Sequence, residues 1–358
     1  MDIKMNITKK RFGRLPTGEE MLCHTLTNKN DVSLTVLNYG GKIVSLWLPD
    51  RQGRQDDIVM GFDKPESYLT RNPYFGSLVG RYANRIRNAC FTLNGKEYRL
   101  DPNAAPHHLH GGGFGFDKRL WDVEPALTQG EGKLFLTLFS PDGDQGYPGN
   151  LHVKVTYSLS DSNDLSIEYE AVCDQDTPFN PTNHSYFNLK GHQNGTVLDH
   201  LVLIRADYIT DLADDRIPDG KLLPVADTPF DFNTPRLIRD RYRAPDRLLA
   251  LSDGYDINYI LRRTTEKQLE KVCTVSEGTC GRSMTVSTTL PAMQFYTANY
   301  IKGNFTFIGK GGHFYPQYCG FCLETQFNPN SVNLPQFPST ILRKNEQFYA
   351  QTVYHFDF

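Results

Sequence analysis

The chain is a succession of short runs rich in β-branched and aromatic residues, separated by turn residues, glycine and proline prominent among them. That punctuation restricts the fold more than any other feature. SLTVLNYG (33–40) and KIVSLWLP (42–49) are two such runs with glycines between them. FTLNGKEYRL (91–100) sets Asn94-Gly95 between two more, the strongest short hairpin signal. KLFLTLFS (133–140), LHVKVTYSLS (151–160) and LSIEYEAVC (165–173) follow at regular spacing. SMTVSTTLP (283–291), QFYTANYI (294–301), GFCLETQF (320–327) and EQFYAQTVYHFDF (346–358) complete the series. With 29 Gly and 21 Pro the chain has breakers enough to end many strands. An apolar period of 3.6 residues, which a core helix needs, is hard to find; the best stretch is a short one near ESYLTR (66–71). Many short strands without helices predict an all-β chain, a large antiparallel sandwich or barrel. No repeat, linker or low-complexity stretch divides it, so 1–358 reads as one domain.

Charge and cysteine content exclude several functions. Lys+Arg is 38 against 41 Asp+Glu, a net charge of -3, whereas a nucleic-acid partner needs a basic face. No stretch approaches eighteen apolar residues, so no membrane span is expected. MDIKMNITKKRFGRLP has no apolar h-region, so no signal peptide is expected. Seven scattered cysteines, an odd count, read as reduced thiols in a cytoplasmic protein.

Several stretches carry candidate chemistry. HHLHGGG (107–113) looks at first like a metal site, since His108 and His110 would share one face of a strand. A cupin-type site would add a glutamate three or four residues on, where Gly113 and Phe114 stand; Pro106 and the three glycines favour a loop. CGFC (319–322) has redox or metal spacing, but inside a strand its thiols would diverge, and no second such motif completes a zinc site. In FCLETQF, Leu323, Thr325 and Phe327 share one face, with Cys322, Glu324 and Gln326 on the other. A carboxylate so placed needs a partner or a function if buried; an exposed sheet face would also accept it. His184 in NPTNHSYFNL (180–189) suits a proton donor or an ordinary hydrogen-bonded histidine. Asp256 follows a glycine turn in DGYDIN (253–258). GRYANRIR (80–87) offers Arg81, Asn84, Arg85 and Arg87, which suit an oxygen-rich ligand or a solvated loop.

Taken together these pieces resemble one family, the galactose mutarotases or aldose 1-epimerases. The resemblance runs through GRYANRI (80–86), HLHGG (108–112), GFDKRLW (115–121), DGDQGYPGN (142–150), TNHSYFNL (182–189), GYD (254–256), QFYTAN (294–299) and LETQ (323–326), in the family's order along nearly the whole chain. It implies a β-supersandwich fold and a small-molecule substrate, a free aldohexose such as galactose or glucose. It implies Glu324 as catalytic base and His184 as catalytic acid. His110 matches a second histidine near the reacting oxygen; Asp256, Arg85, Asn84 and Gln294 match residues that hold sugar hydroxyls. His107 and His108 have no catalytic counterpart. Family members use no metal and no organic cofactor, and a monomer or homodimer is expected. The chain departs from the pattern at Ile257, where relatives often have His, and at Arg87, where a small residue is common.

The chemistry explains the residue types. Interconverting α and β anomers breaks and re-forms the bond between C1 and the ring oxygen O5. One group takes the proton of the C1 hydroxyl while another protonates O5. A carboxylate, ordinarily titrating at about 4.3, suits the base, and an imidazolium, at about 6.5, suits the acid. At neutral pH Glu324 is therefore expected ionised and His184 partly protonated, helped by nearby carboxylates, with the two about a sugar ring apart. Tyr186, Phe295 and Phe327 are candidates for contact with the sugar's C–H face, or for core. Three other functions remain open. A hexose 6-phosphate epimerase would need a phosphate cluster, for which Arg87, Lys118 and Arg119 are candidates. A sugar binder would need no acid–base pair, and a glycosidase would need two carboxyl groups.

Overall fold

The computed structural model describes residues 5–70, 72–265, 267–302 and 307–358. Arg71, which closes the ESYLTR run, and Met1 to Lys4 of the N-terminal stretch lie outside them. Almost every regular element is a strand, and every strand pairing is antiparallel. Three sheets carry the architecture. A nine-stranded sheet runs Asp122–Thr128, Glu131–Ser140, Leu151–Ser160, Asp164–Cys173, Gln347–Asp357, Ser283–Thr288, Glu270–Ser276, Leu201–Ile204 and Arg236–Leu237. A five-stranded sheet is an N-terminal meander from Asn6–Arg14 to Gln55–Asp57. A second five-stranded sheet runs Pro218–Pro224, Ala206–Leu212, Asp256–Leu261, Ala292–Tyr296 and Cys322–Gln326. The result is the all-β antiparallel sandwich expected from the punctuation.

One large apolar cluster draws side chains from all three sheets, among them Leu34 and Ile43, Tyr157 and Ile167, and Ile257, Phe295 and Leu323. Alternation along the strands supplies it: in Glu131–Ser140, Leu134 and Leu136 go inward while Lys133 and Phe135 face outward. Each fully buried aliphatic or Phe side chain contributes about 1.5–3 kcal/mol. The Asn94-Gly95 hairpin is as expected. Leu93 pairs with Lys96, and Asn94 and Gly95 take φ of 52° and 77°, left-handed values that these two residues tolerate.

Other local expectations are corrected. The HHLHGGG loop begins as a two-residue strand, His108–Leu109, paired with Arg85–Ile86; the chain then reverses through His110, Gly111 and Gly112 at φ of 50°, 85° and 100°. In CGFC only Cys322 belongs to the strand, and both thiols are buried and free. The expected helix is the single turn Pro65–Leu69. A second helix, Arg247–Ser252, is capped by Asp246, whose carboxylate accepts from the Leu248 and Leu249 amides. Strands Ala206–Leu212, Pro218–Pro224 and Asp256–Leu261 went unread because their polar residues interrupt the apolar pattern.

Candidate active site

Three strands of the second five-stranded sheet, Asp256–Leu261, Ala292–Tyr296 and Cys322–Gln326, are largely buried on both faces, and the faces differ in chemistry. Ile257, Tyr259, Met293, Phe295 and Leu323 enter the apolar cluster. Opposite them the register sets Asn258 beside Gln294 and Gln294 beside Glu324; one step on, Asp256 pairs with Tyr296 and Tyr296 with Cys322. Directly opposed residues share a face, so five polar side chains with Tyr296 line one wall. Cys322, Glu324 and Gln326 stand on it as the alternation requires, and Thr325 turns the other way to Thr352.

His184 reaches this wall from the strand Thr182–His184, which pairs with Ser77–Val79. The Thr182 hydroxyl donates to the Thr325 carbonyl at 2.8 Å and ties that strand to the edge of the sheet. His184 Nε2 then lies 3.6 Å from Glu324 Oε1, with both groups buried. The separation is far less than a sugar ring. Tyr74 and Tyr186 stack against the His184 ring, centroids 5.8 and 5.0 Å away, each inclined by 18°. His110 meets it edge-on at 5.2 Å. The Asn84 amide donates to His110 Nδ1 at 3.2 Å, so in the neutral ring Nε2 carries the proton and acts as a donor.

The electrostatics differ from the sequence expectation. Burial pushes His184 down to about 4. Burial, reinforced by the neighbouring Asp256 carboxylate, holds Glu324 well above the usual carboxylate range, and Arg85 opposes this. His110 is held well below its ordinary value by burial, with His184 and Arg85 adding to the effect. The expected help from nearby carboxylates is not seen at His184, and the Asp256 carboxylate acts on Glu324. Burial thus biases the pair toward a protonated carboxyl and a neutral imidazole. That state holds as many protons as a carboxylate with an imidazolium, so one proton belongs to the pair.

The other candidates divide cleanly. Asp256 accepts from Gln294 Nε2 at 2.6 Å and from the Tyr300 hydroxyl at 3.1 Å. Asn84, Arg85, Asp256 and Gln294 border a narrow recess along the same wall. A larger hollow, about 620 Å3, lies elsewhere around Asp50, Arg54 and Asp56, away from the acid–base pair. Arg81 is structural: its guanidinium donates to Ser140, Pro141, Pro148 and Thr177. Arg87 pairs with Asp215, Arg119 with Asp144, and Lys118 donates to the Gly113 carbonyl, so no phosphate cluster forms from them. His108 bridges the Asp101 carbonyl and the Tyr147 hydroxyl, each at 2.7 Å, and His107 accepts from the Asn88 amide. Phe295 packs with Phe232 and Tyr255 in the core, and Phe327 packs against that core.

Sequence reasoning missed Tyr74, Asn258, Tyr300 and Cys322. The register partnership of Asn258 with Gln294 would have revealed the first polar row, but only once the strands were known. Cys322 Sγ lies 3.5 Å from His184 Nδ1, whereas the CGFC spacing pointed only to redox or zinc chemistry. Among the described residues, His110, His184 and Glu324 also form a three-ligand set, with their donor atoms within 4.8 Å of one another. Imidazole and carboxylate ligands suit zinc chemically, so the metal question raised by HHLHGGG moves to a different trio.

The aldose 1-epimerase family model matches residues 22–355. A galactose mutarotase from Sus scrofa is 41% identical over 352 residues, covering 98% of this chain and 99% of that protein. An aldose 1-epimerase from Escherichia coli is 35% identical, covering 95% and 96%. A solved galactose 1-epimerase from Lactobacillus acidophilus superposes with a TM-score of 0.86 at 29% identity, covering 99% of both chains. Among the described residues, no helix is long and apolar enough to cross a membrane.

Proposed function

The chain belongs to the aldose 1-epimerase family of isomerases, and from that premise we propose that residues 1–358 form one catalytic domain that interconverts the anomers of free hexoses such as galactose and glucose, with Glu324 as base and His184 as acid. The observation that carries this reading is the 3.6 Å approach of His184 Nε2 to Glu324 Oε1 in a buried, polar-walled site. The ionised Glu324 takes the proton from the C1 hydroxyl while His184 gives one to O5. The C1–O5 bond breaks and leaves an aldehyde. Rotation about C1–C2 presents the other carbonyl face, O5 attacks, and both proton transfers reverse.

Ring opening carries the pair from carboxylate and imidazolium to carboxyl and imidazole, the two states between which it shares one proton. Burial therefore brings the two halves of the reaction closer in energy, which suits a reversible shuttle. His110 Nε2–H is available to a developing oxyanion at O1 or O5. Asp256, Arg85, Asn84 and Gln294 orient hydroxyls. Each well-placed acid or base is worth about 10²–10⁴ in rate.

Optical rotation tests this. α-D-Galactose at neutral pH should equilibrate quickly with the wild-type protein, and Glu324→Gln should lower kcat by about 10²–10⁴. A wild-type trace no faster than buffer would overturn the reading.

A further inference from the structure

The CGFC stretch leaves one contact without a role. Its second thiol, Cys322, is free and buried, two residues before Glu324 on the same face of one strand. Its Sγ lies 3.5 Å from His184 Nδ1, while Glu324 Oε1 lies 3.6 Å from Nε2. A single strand therefore meets the imidazole at both nitrogens. The Tyr74 and Tyr186 rings set the plane of that imidazole but not its edges. A half-turn about Cβ–Cγ keeps the stack, yet it puts Cδ2 against the sulfur and Cε1 against the carboxyl. Only the observed orientation gives both neighbours a nitrogen.

Proton transfer adds a second requirement. As acid, His184 gives its Nε2 proton to O5 and is left with Nε2 bare, ready to take that proton back when the ring closes. The neutral imidazole must then keep its remaining proton on Nδ1. Two acceptors stand at that nitrogen. One is Cys322 Sγ. The other is the carbonyl of His184 itself: burial lowers this imidazole, and that carbonyl works against the effect. Nδ1 is the only ring nitrogen that can reach the carbonyl of its own residue. A carbonyl accepts and cannot donate, so the proton between Nδ1 and the sulfur belongs to Nδ1, and the thiol is the acceptor. Burial, reinforced by Glu324, holds the Cys322 thiol well above its ordinary value, so it stays neutral.

From this geometry we infer that Cys322 is a positioning residue for the anomerase reaction: its sulfur accepts the Nδ1–H of His184 and so reserves Nε2 for the proton that moves to and from O5. The inference rests on the proposed reading, because it takes His184 as the acid. A thiol suits this place better than the carboxylate that stands behind the histidine base of a serine protease. A carboxylate behind an imidazole raises its basicity. A neutral sulfur is a weak acceptor. It fixes the tautomer and leaves the imidazolium acidic enough to protonate a ring oxygen.

Nitrogen-15 NMR of histidine-labelled protein at neutral pH, beside polarimetry on D-galactose, tests this with wild type, Cys322→Ala and Cys322→Ser. The His184 signals are those lost in His184→Asn. In the wild type Nδ1 should carry the proton and Nε2 should be bare. Cys322→Ala should populate the Nε2–H tautomer and lower kcat about tenfold, the upper end for a lost hydrogen bond, with KM within about twofold. Cys322→Ser keeps an acceptor on a shorter bond, so its kcat should fall between the two. Its Tm should be no higher than that of Cys322→Ala, because a buried hydroxyl is costly. Activity that simply follows Tm would mean packing alone and would overturn the inference. So would an unchanged kcat in Cys322→Ala, or Nε2–H in the wild type, which needs no variant to fold; each leaves the anomerase reading intact. A wild type no faster than buffer would instead sink the anomerase reading, and this inference with it.

Discussion

Arg282 and Glu324 are both buried charged side chains, 0% and 2% exposed, yet their surroundings treat them in opposite ways. Arg282 donates to the carbonyls of Leu48, Pro49, Arg54 and Leu189 and to the Asp56 carboxylate, all within 3.1 Å. Its charge is paired and its donors are used, so it clamps the N-terminal sheet to the turn between strands Glu270–Ser276 and Ser283–Thr288 of the nine-stranded sheet. On the Glu324 wall, Glu324 Oε2, Gln294 Oε1, Gln326 Oε1 and Thr210 Oγ1 are all buried without partners. A buried polar atom without a partner costs about 1–3 kcal/mol. Several such atoms on one wall are tolerable where a ligand completes their bonding. Burial of charge does not by itself separate structural from functional polar groups; the state of the remaining lone pairs and protons does.

The comparison can be broken most severely at Arg282. Arg282→Met should cost about 3–5 kcal/mol by stranding Asp56 and four carbonyls, seen as a large fall in Tm, with any lost activity explained by unfolding. A small change would mean the clamp is not structural.

Glu324→Gln should move stability the other way. Glu324 titrates above its unfolded value in the folded chain, so at pH 7 the unfolded state gains from ionisation more than the folded one does. That penalty grows as pH rises past the unfolded carboxylate value of about 4.3. Removing the acid should raise Tm at pH 7, with the gain fading toward pH 5. A lower Tm at pH 7 would show that Glu324 is satisfied after all.

A smaller effect concerns pH and rate. Because burial holds His184 down at about 4, no further proton binds the imidazole between neutrality and mild acid. The kcat/KM profile should stay flat through pH 6.5 and fall only as a second proton binds near pH 4. An acid limb at the ordinary histidine value would place a free imidazolium at the site. The smallest expected change is none: dialysis against EDTA should leave the rate intact. Loss of rate restored by zinc would turn His110, His184 and Glu324 into a metal centre.

Much of this was legible in the chain. The Asn94-Gly95 hairpin and the alternation of the long strands came straight from residue type, because turns and pleats are decided locally. The opposed faces of Leu323 and Glu324 followed from the two-residue period of a strand. Local pattern could not sort three neighbouring histidines: His107 and His108 are absorbed by loop backbone and a tyrosine, and only His110 faces His184.

By itself, the sequence determined an all-β antiparallel chain and, through a set of motifs in order, a family and a list of site residues. The tertiary structure decided what those residues can do. Glu324 and His184 lie 140 positions apart, and strand pairing across different sheets brings them to 3.6 Å. Their protonation follows from burial, which removes the water that would stabilise either charge. Register and burial are long-range properties, set by which strands pair and what covers them, and no local run of residues encodes them.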